Sequence, residues 1–444
     1  MFGAMGLTEA VRAGDAERVR ELLEAGADPD TAGGDGLPVL CAAVAAYDSE
    51  VAGALVEGGA DPDRTLPDGT TPLLRAVEGG SPAVVGAVLG REPRLRLPEA
   101  ERERLLDTAR RWYGAGAEAE LRRLTGAAGP ARAGTVQDDE YSRVEEIVLG
   151  GRTARAGHGA ILTSLEWAFR ILAPVEELLD RAVRHGDEEH VDWWASQWVL
   201  TERRSAETWA EVVAFHRHPE PLPRLFVAEV LGLHALSGGL SQHVRWYERE
   251  RLKVLGGWVE REEDGAVLAR LLRALADEEF PGGPALGLRH AGHADARVRR
   301  EVPGLFGLPL NPQAARAVRD LSRDPDAGVR AAAAEALGGE ELGEEDRGVL
   351  LALLHDGDPQ VVRRAVYATA RGADRSPEVT EALVRLLGTE ELDNRLSAAY
   401  GLAVRDDPRT PEAYTRVGPL GPEYEHDVRA DGLWRWRVRN EPSG

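Results

Sequence analysis

An internal period of 33 residues constrains this chain more than any other feature. ADPD occurs at 27–30 and again at 60–63, and Asp35-Gly36 recurs as Asp68-Gly69. Apolar positions keep the same step. Leu7, Leu40, Leu73 and Leu106 form one ladder; Ala10, Ala43, Ala76 and Ala109 form a second; Leu22, Leu55 and Val88 form a third. A unit of this length is one supersecondary element that cannot bury its apolar face alone, so its copies must stack.

The third unit is the fullest. Asp68 and Gly69 give a tight turn, and Thr71, Pro72 and Leu73 start a helix in which Pro72 has no amide to lose. With the GADP loop, this pattern resembles the ankyrin repeat. The second unit puts Pro38 and Val39 in place of Thr-Pro. The first lacks its turn, as a capping copy does. The fourth (about 101–126) keeps Leu106 and Ala109, has an insertion around Tyr113 to Gly116, and carries REPRLRLP in place of its turn. The resemblance implies a helix-turn-helix stack with turns projecting to one side, and a protein-binding module more than an enzyme. Asp35, Arg64 and Asp68 are the candidate contacts on the turns. Against that, both Asp-Gly pairs are explained by tight-turn chemistry alone.

A second period governs the other half. DPDAGVRAAAAEALG (324–338) opens with carboxylates that suit a helix start and continues as a thin alanine face that a neighbour approaches closely. HADARVRREVPGLFG (293–307), DGDPQVVRRAVYATARG (356–372) and LDNRLSAAYGLA (392–403) are its copies, and HPEPLPRLFVAEVLG (218–232) lies upstream. Arg224, Arg299, Arg330, Arg363 and Arg395 mark the phase, and HGDEEHVDWWASQWVL (185–200) fits more loosely with Asp192 in the arginine's place. TWAEVVAF, PQAARAVRDL, EDRGVLLALL, EVTEALVRLL and VLARLLRALA (267–276) read as second helices. The set resembles HEAT-like repeats of the phycobilisome-lyase type, which implies an α-solenoid with inner helices lining a concave groove. It implies a scaffold, not lyase activity. The ladder of Asp and Arg is read as joining successive repeats.

Between the arrays, GAAGPARAG (126–134) is a small-residue boundary. VQDDEYSRVEEIVLGG is read as a helix with Asp138, Ser142 and Glu146 on one face, a spacing that resembles the NSE metal motif of class I terpene cyclases. Glu140 departs from that motif and no aspartate-rich partner is present, so a capped acidic helix start is the expectation. GRTARAGHGA reads as a loop containing His158. LTSLEWAFRILAPVEELLDRAVRHG reads as two helices broken at Pro174.

Charge narrows the partners. Lys+Arg is 54 against Asp+Glu 76, a net −22, which disfavours nucleic acid and anionic lipid. Arginine supplies nearly all the positive charge, as in a GC-rich bacterial genome. The single cysteine, Cys41, leaves no intrachain disulfide and no Cys-based zinc site. No signal peptide or spanning segment is read, so a cytoplasmic protein is expected. His216/His218 and His290/His293 lack a third ligand and the H-E-x-x-H context; His218 and His293 take the phase of Asp324 and are read as helix caps. No metal site or cofactor is assigned. The tail DGLWRWRVRN alternates Trp434, Trp436 and Val438 with arginines, a strand-like pattern expected to cap the last repeat or to serve as a partner-binding arm.

The expectation is an all-α protein, an ankyrin-type helical stack followed by a HEAT-like α-solenoid. Four ankyrin-type repeats (1–128), linker and junction helices (129–184), six or seven HEAT-like repeats (185–405) and a capping tail (406–444) make up the chain. The leading function is non-catalytic recognition of a protein through the ankyrin turns and the HEAT groove. The competing one is an enzyme of specialised metabolism with a small-molecule pocket at the junction. For either, the richest stretch is His190, Asp192, Trp193, Trp194 and Trp198. The indoles are candidate binding residues, with His190 and Asp192 the catalytic candidates in an enzyme. The alternative is that these tryptophans are core. A nucleic-acid protein using groove arginines is a weaker third reading.

Overall fold

The structure, a computed structural model, describes residues 6–233, 242–278, 280–338, 342–372 and 374–440, with side chains described outside 242–248. It divides into two compact units, Met1–Val230 and Leu231–Gly444.

Three helix pairs open the first unit: α1 (Leu7–Ala13) and α2 (Ala16–Glu24), α3 (Val39–Ala45) and α4 (Ser49–Glu57), α5 (Pro72–Gly79) and α6 (Pro82–Leu89). A single turn, α7 (Pro93–Arg96), leads to α8 (Glu99–Ala115) and α9 (Ala117–Thr125). The leucine and alanine ladders are all buried, so α1, α3, α5 and α8 stack in one column. Asp15, Asp48 and Ser81 set the starts of α2, α4 and α6 by accepting the amide three residues on.

After α8 the regular order breaks. A three-stranded antiparallel sheet, β1 (Arg132–Gln137), β2 (Arg143–Leu149) and β3 (Arg152–Arg155), packs against α9. Next, α10 (His158–Ala168) packs on both α6 and α8, the position that α4 holds against α2 and α3. This corrects the helix expected around Asp138, Ser142 and Glu146. Asp138 and Ser142 lie in a turn and Glu146 in a strand, so they share no helical face. The Asp139 carboxylate accepts the amides of Tyr141 and Ser142, and that local turn competes successfully with helix. Gly150 and Gly151, both at positive φ, make the two-residue turn from β2 to β3. Asp138 is buried and accepts from Ser81 Oγ (2.6 Å), the Ala83 amide (2.9 Å) and Arg155 (2.8 Å), which ties the sheet to the start of α6. Then come α11 (Val175–Val183), α12 (Val191–Glu202), α13 (Ala206–Ala214) and α14 (Pro221–Leu233). The break at Pro174 is present, between α10 and α11.

The second unit continues with α15 (Gln242–Val259), α16 (Gly265–Ala276), α17 (Gly283–His290), α18 (Ala296–Glu301), α19 (Pro312–Leu321) and α20 (Ala327–Ala336). It closes with α21 (Glu344–Leu353), α22 (Pro359–Arg371), α23 (Pro377–Leu386), α24 (Leu392–Val404), α25 (Thr410–Val417) and α26 (Val428–Asn440). One column stacks α16, α18, α20, α22, α24 and α26 in succession. Residues 267–276, expected as a second helix, thus belong to the column of first helices. The thin alanine face behaves as its composition requires. Ala333 and Ala334 are fully buried, and a Cβ at Gly338 would come within 2.8 Å of Ala368.

The phase arginines share one geometry. Arg224, Arg299, Arg330 and Arg395 each donate to the carbonyls six and five residues back. Arg299 also pairs with both oxygens of Asp324, and Arg330 with both of Asp356. Arg363 is the exception: Val361 aligns with Val329, Val362 takes the arginine's place, and Arg363 is exposed. His218 and His293 each accept the amide two residues on, as Asp324 and Asp356 do, but these are amides just ahead of the helix, and Asp295 rather than His293 caps α18. The tail is a helix, not a strand. Leu433 is buried and Trp436 half-buried in the core with α24, while Trp434 and Val438 are exposed.

Candidate functional site

The residues singled out around 190 fall into two groups with different surroundings. His190 caps α12: its Nδ1 accepts the Asp192 amide (3.1 Å). Asp192 faces inward at the start of the same helix, fully buried, and its Oδ1 accepts the Ala160 amide of α10 (2.6 Å). The residue before must be glycine, because a Cβ at Gly159 would collide with the Asp192 carboxylate. The second oxygen, Oδ2, is buried without a hydrogen bond and lies 3.4 Å from His185 Nε2. His185 stacks on His190 with ring centres 3.7 Å apart. His158, at the start of α10, stacks on Trp112 at 4.8 Å.

Burial sets the electrostatics of this corner. It pushes the His158 pKa down to about 4, against the opposing pull of Asp192 and of the Val77 and Glu78 carbonyls. It likewise pushes His190 down to about 4, against Asp192. Both rings are therefore neutral at pH 7. The Nε2 atoms of His158 and His190 are buried without partners.

His185, His190 and Asp192 each offer a ligand atom, all within 4.8 Å of one another, so they are the candidate metal set among the described residues. Their atoms do not converge on one point. His190 Nδ1 already accepts an amide, so in the neutral ring Nε2 carries the hydrogen, and the two imidazoles lie face to face and do not converge. The Asp192 carboxyl lies at the starts of both α10 and α12, where helix amides lack partners within their own helix. His185 is the exposed member of the group, its side chain 30% exposed against 1% for Asp192.

The indoles separate. Trp193 is fully buried; its Nε1 donates to Glu229 (2.6 Å), and its ring meets Phe226 edge-on at 5.0 Å. In place of a groove wall, it is core joining α12 to α14. Trp194 and Trp198 are 43% and 62% exposed, one helical turn apart. On the ankyrin turns, Asp35 accepts the Leu37 amide, and Asp68 accepts from Thr70 and Arg75. The Thr70 hydrogen bonds hold Asp68 down at about 2. Arg64 is about half exposed, 3.7 Å from Asp30. Both aspartates are thus engaged in turn geometry. His158 and Gly159 escaped sequence reasoning as parts of this corner, whereas His185 stood in the same His/Asp/Trp-rich stretch as His190 and Asp192. The available signal was the loose fit of 185–200, where Asp192 stands in the arginine's place.

Comparison with known proteins agrees with these elements. Residues 7–96 match the family model for ankyrin repeats (3 copies), and residues 283–370 match the model for HEAT repeats. No curated protein matches the chain. Among solved structures, YibA of Escherichia coli is 18% identical with a TM-score of 0.41, covering 59% of this chain and 93% of its own. An engineered protein is 17% identical with a TM-score of 0.34, covering 94% and 98%. At these scores neither superposition carries an argument about this chain. No helix among the described residues is long and apolar enough to cross a membrane. The chain carries ankyrin repeats in its N-terminal part and HEAT repeats in its C-terminal part.

Proposed function

We propose that the chain is a non-catalytic recognition scaffold that holds a partner protein through its ankyrin turns and HEAT-like helices. The exposed pair Trp194 and Trp198 carries the reading. These indoles project from a helix whose opposite face is locked into the core by Trp193, and rigid exposed aromatics are the residues that most often anchor a protein interface. The net charge of −22 directs the proposal to a protein over nucleic acid. The HEAT units keep their resemblance to the phycobilisome-lyase type as a class of repeat, without its activity. A cytoplasmic location belongs to the same proposal: the single cysteine, Cys41, is a buried free thiol, as in chains that do without disulfides.

The alternative, an enzyme of specialised metabolism, is favoured by one observation, the group of exposed His185 with buried His190 and Asp192, beside a second buried histidine, His158. One experiment separates the two. The tagged protein and its W194A/W198A variant are purified from the native host, and everything retained is identified by mass spectrometry. A defined protein held by the wild type and lost from the variant supports the scaffold. Recovery of a small metabolite and no protein overturns it.

A further inference from the structure

The sheet of the first unit has two edges, and one of them is open. In an antiparallel pair, successive residues turn their N–H and C=O groups alternately toward the partner strand and away from it. Two contacts fix that phase here. The Arg143 amide donates to the Glu189 carbonyl (2.8 Å), and the Glu145 carbonyl accepts the Ala156 amide (2.8 Å), so both residues of β2 face away from β1. Their partners across the pair, Gln137 and Thr135, therefore face away from β2, and so does Ala133, which stands opposite Ile147. Gly134 and Val136 turn inward, opposite Glu146 and Val144.

The far side of β2 is filled by β3, Ala156 and Glu189. The outer edge of β3 lies against α5, and the Tyr47 hydroxyl donates to its Thr153 carbonyl (3.2 Å). The outer edge of β1 has no such cover. Ala133, Thr135 and Gln137 are exposed, and among the described residues no hydrogen bond reaches their outward amides and carbonyls. Bulges, prolines and charges are the devices that keep an open edge from pairing. The pairing of β1 runs without a bulge from Arg132 to Gln137, the strand holds no proline, and its one charge, Arg132, stands at its end.

We propose that β1 takes up an extended segment of the partner protein as a further strand, bonded through the main chain of Ala133, Thr135 and Gln137. The inference rests on the recognition reading above and adds how the partner is held. An extended chain presents donors and acceptors at the two-residue spacing of this edge, whereas a helix has spent its own within itself. A second copy of β1 offers the same spacing, but two chains of net charge −22 repel each other. Val136 is half-buried against Val144, Ala160 and Val191, so the added strand sets an apolar side chain beside it and polar ones beside Thr135 and Gln137.

The probe is a fluorescein-labelled peptide of alternating valine and threonine flanked by serines, read by anisotropy on the full chain. Its twin carries N-methyl groups on two adjacent central amides, one for each edge of the peptide strand. The wild type is expected to bind the peptide at least about tenfold more tightly than the twin. T135P removes an outward amide that β2 does not use and is expected to weaken binding at least about tenfold, while T135A stays within about twofold. W194A/W198A leaves it unchanged. Amide exchange on the wild type needs no variant: the Thr135 amide is expected to exchange fast in the free chain and to slow when the peptide is added. Equal binding of peptide and twin overturns the inference, as does wild-type affinity in a T135P variant that circular dichroism shows to be folded. Slow exchange at Thr135 in the free chain overturns it by showing the edge already covered, and exchange that the peptide does not slow overturns it whether or not T135P folds. A dimer in sedimentation that T135P abolishes gives the edge to a second copy and overturns the proposed occupant. If T135P keeps the cellular partner that W194A/W198A loses, the recognition reading stands and this inference falls.

Discussion

The α18–α20–α22 column and the corner where α10 meets α12 each place a carboxylate at the start of a helix and neutralise it differently. In the column, Asp324 and Asp356 accept the amides of the capping residues Asp326 and Asp358 and are gripped by two nitrogens of an arginine from the preceding repeat. The Arg299 hydrogen bonds hold Asp324 below the usual carboxylate range, and the Arg330 bonds do the same for Asp356. In the corner, Asp192 caps a different helix from its own and is surrounded by imidazoles, two of them neutral. The column leaves little polar capacity unused. The corner leaves buried atoms without partners: Asp192 Oδ2 and the Nε2 atoms of His158 and His190.

The largest effect is expected from Trp193→Ala, which removes the buried ring joining α12 to α14. A loss of about 3–5 kcal/mol is expected in urea unfolding followed by tryptophan fluorescence. A loss below about 1 kcal/mol would remove Trp193 from the core assignment.

Next comes pH. His158 and His190 have folded pKa values of about 4, below their ordinary 6.5. The unfolded chain therefore takes up protons first. The stabilisation is complete above pH 6.5 and is lost as pH falls towards 4, by up to about 3 kcal/mol per histidine. The column carboxylates, held below 3.8, keep their pairs through that window. Melts at pH 7 and 5 should show the first unit weakening before the second. His158→Phe, which keeps the stack on Trp112, should flatten that dependence. An unchanged slope in this variant would show that His158 is not the titrating group.

A smaller effect is expected from Arg330→Met, which strands Asp356: about 1–3 kcal/mol, largely restored in R330M/D356N. Failure of the second change to restore stability would mean that the pair is not what joins these repeats. The smallest is W194A/W198A, expected to stay within about 0.5 kcal/mol of wild type while losing the partner. A large destabilisation would return these indoles to the core.

Much of the architecture was legible because it repeats. The leucine and alanine ladders at a 33-residue step, and the alanine-rich copy at 324–338, give one answer in every copy. Where the repeat slips by one residue, as at Arg363, pattern alone misassigned the position. The hairpin was legible in principle: Gly150-Gly151 between VEEIVL and RTAR is a two-residue turn signal, outweighed by the acidic run before it. The tail misled because alternating Trp and Arg satisfies a period of two, while α24 offers it a helical surface that buries Leu433.

By itself the sequence determined that helices stack in two periodic arrays, since small residues at fixed intervals can bury themselves no other way. Tertiary structure alone decided which polar groups meet. Asp192 reaches an amide 32 residues back, and Arg405, outside the arginine phase, is buried against the carbonyls of Thr369, Ala370, Gly372, Asp374 and Gly401. Those contacts follow from how repeats are set against one another, which no spacing along the chain encodes.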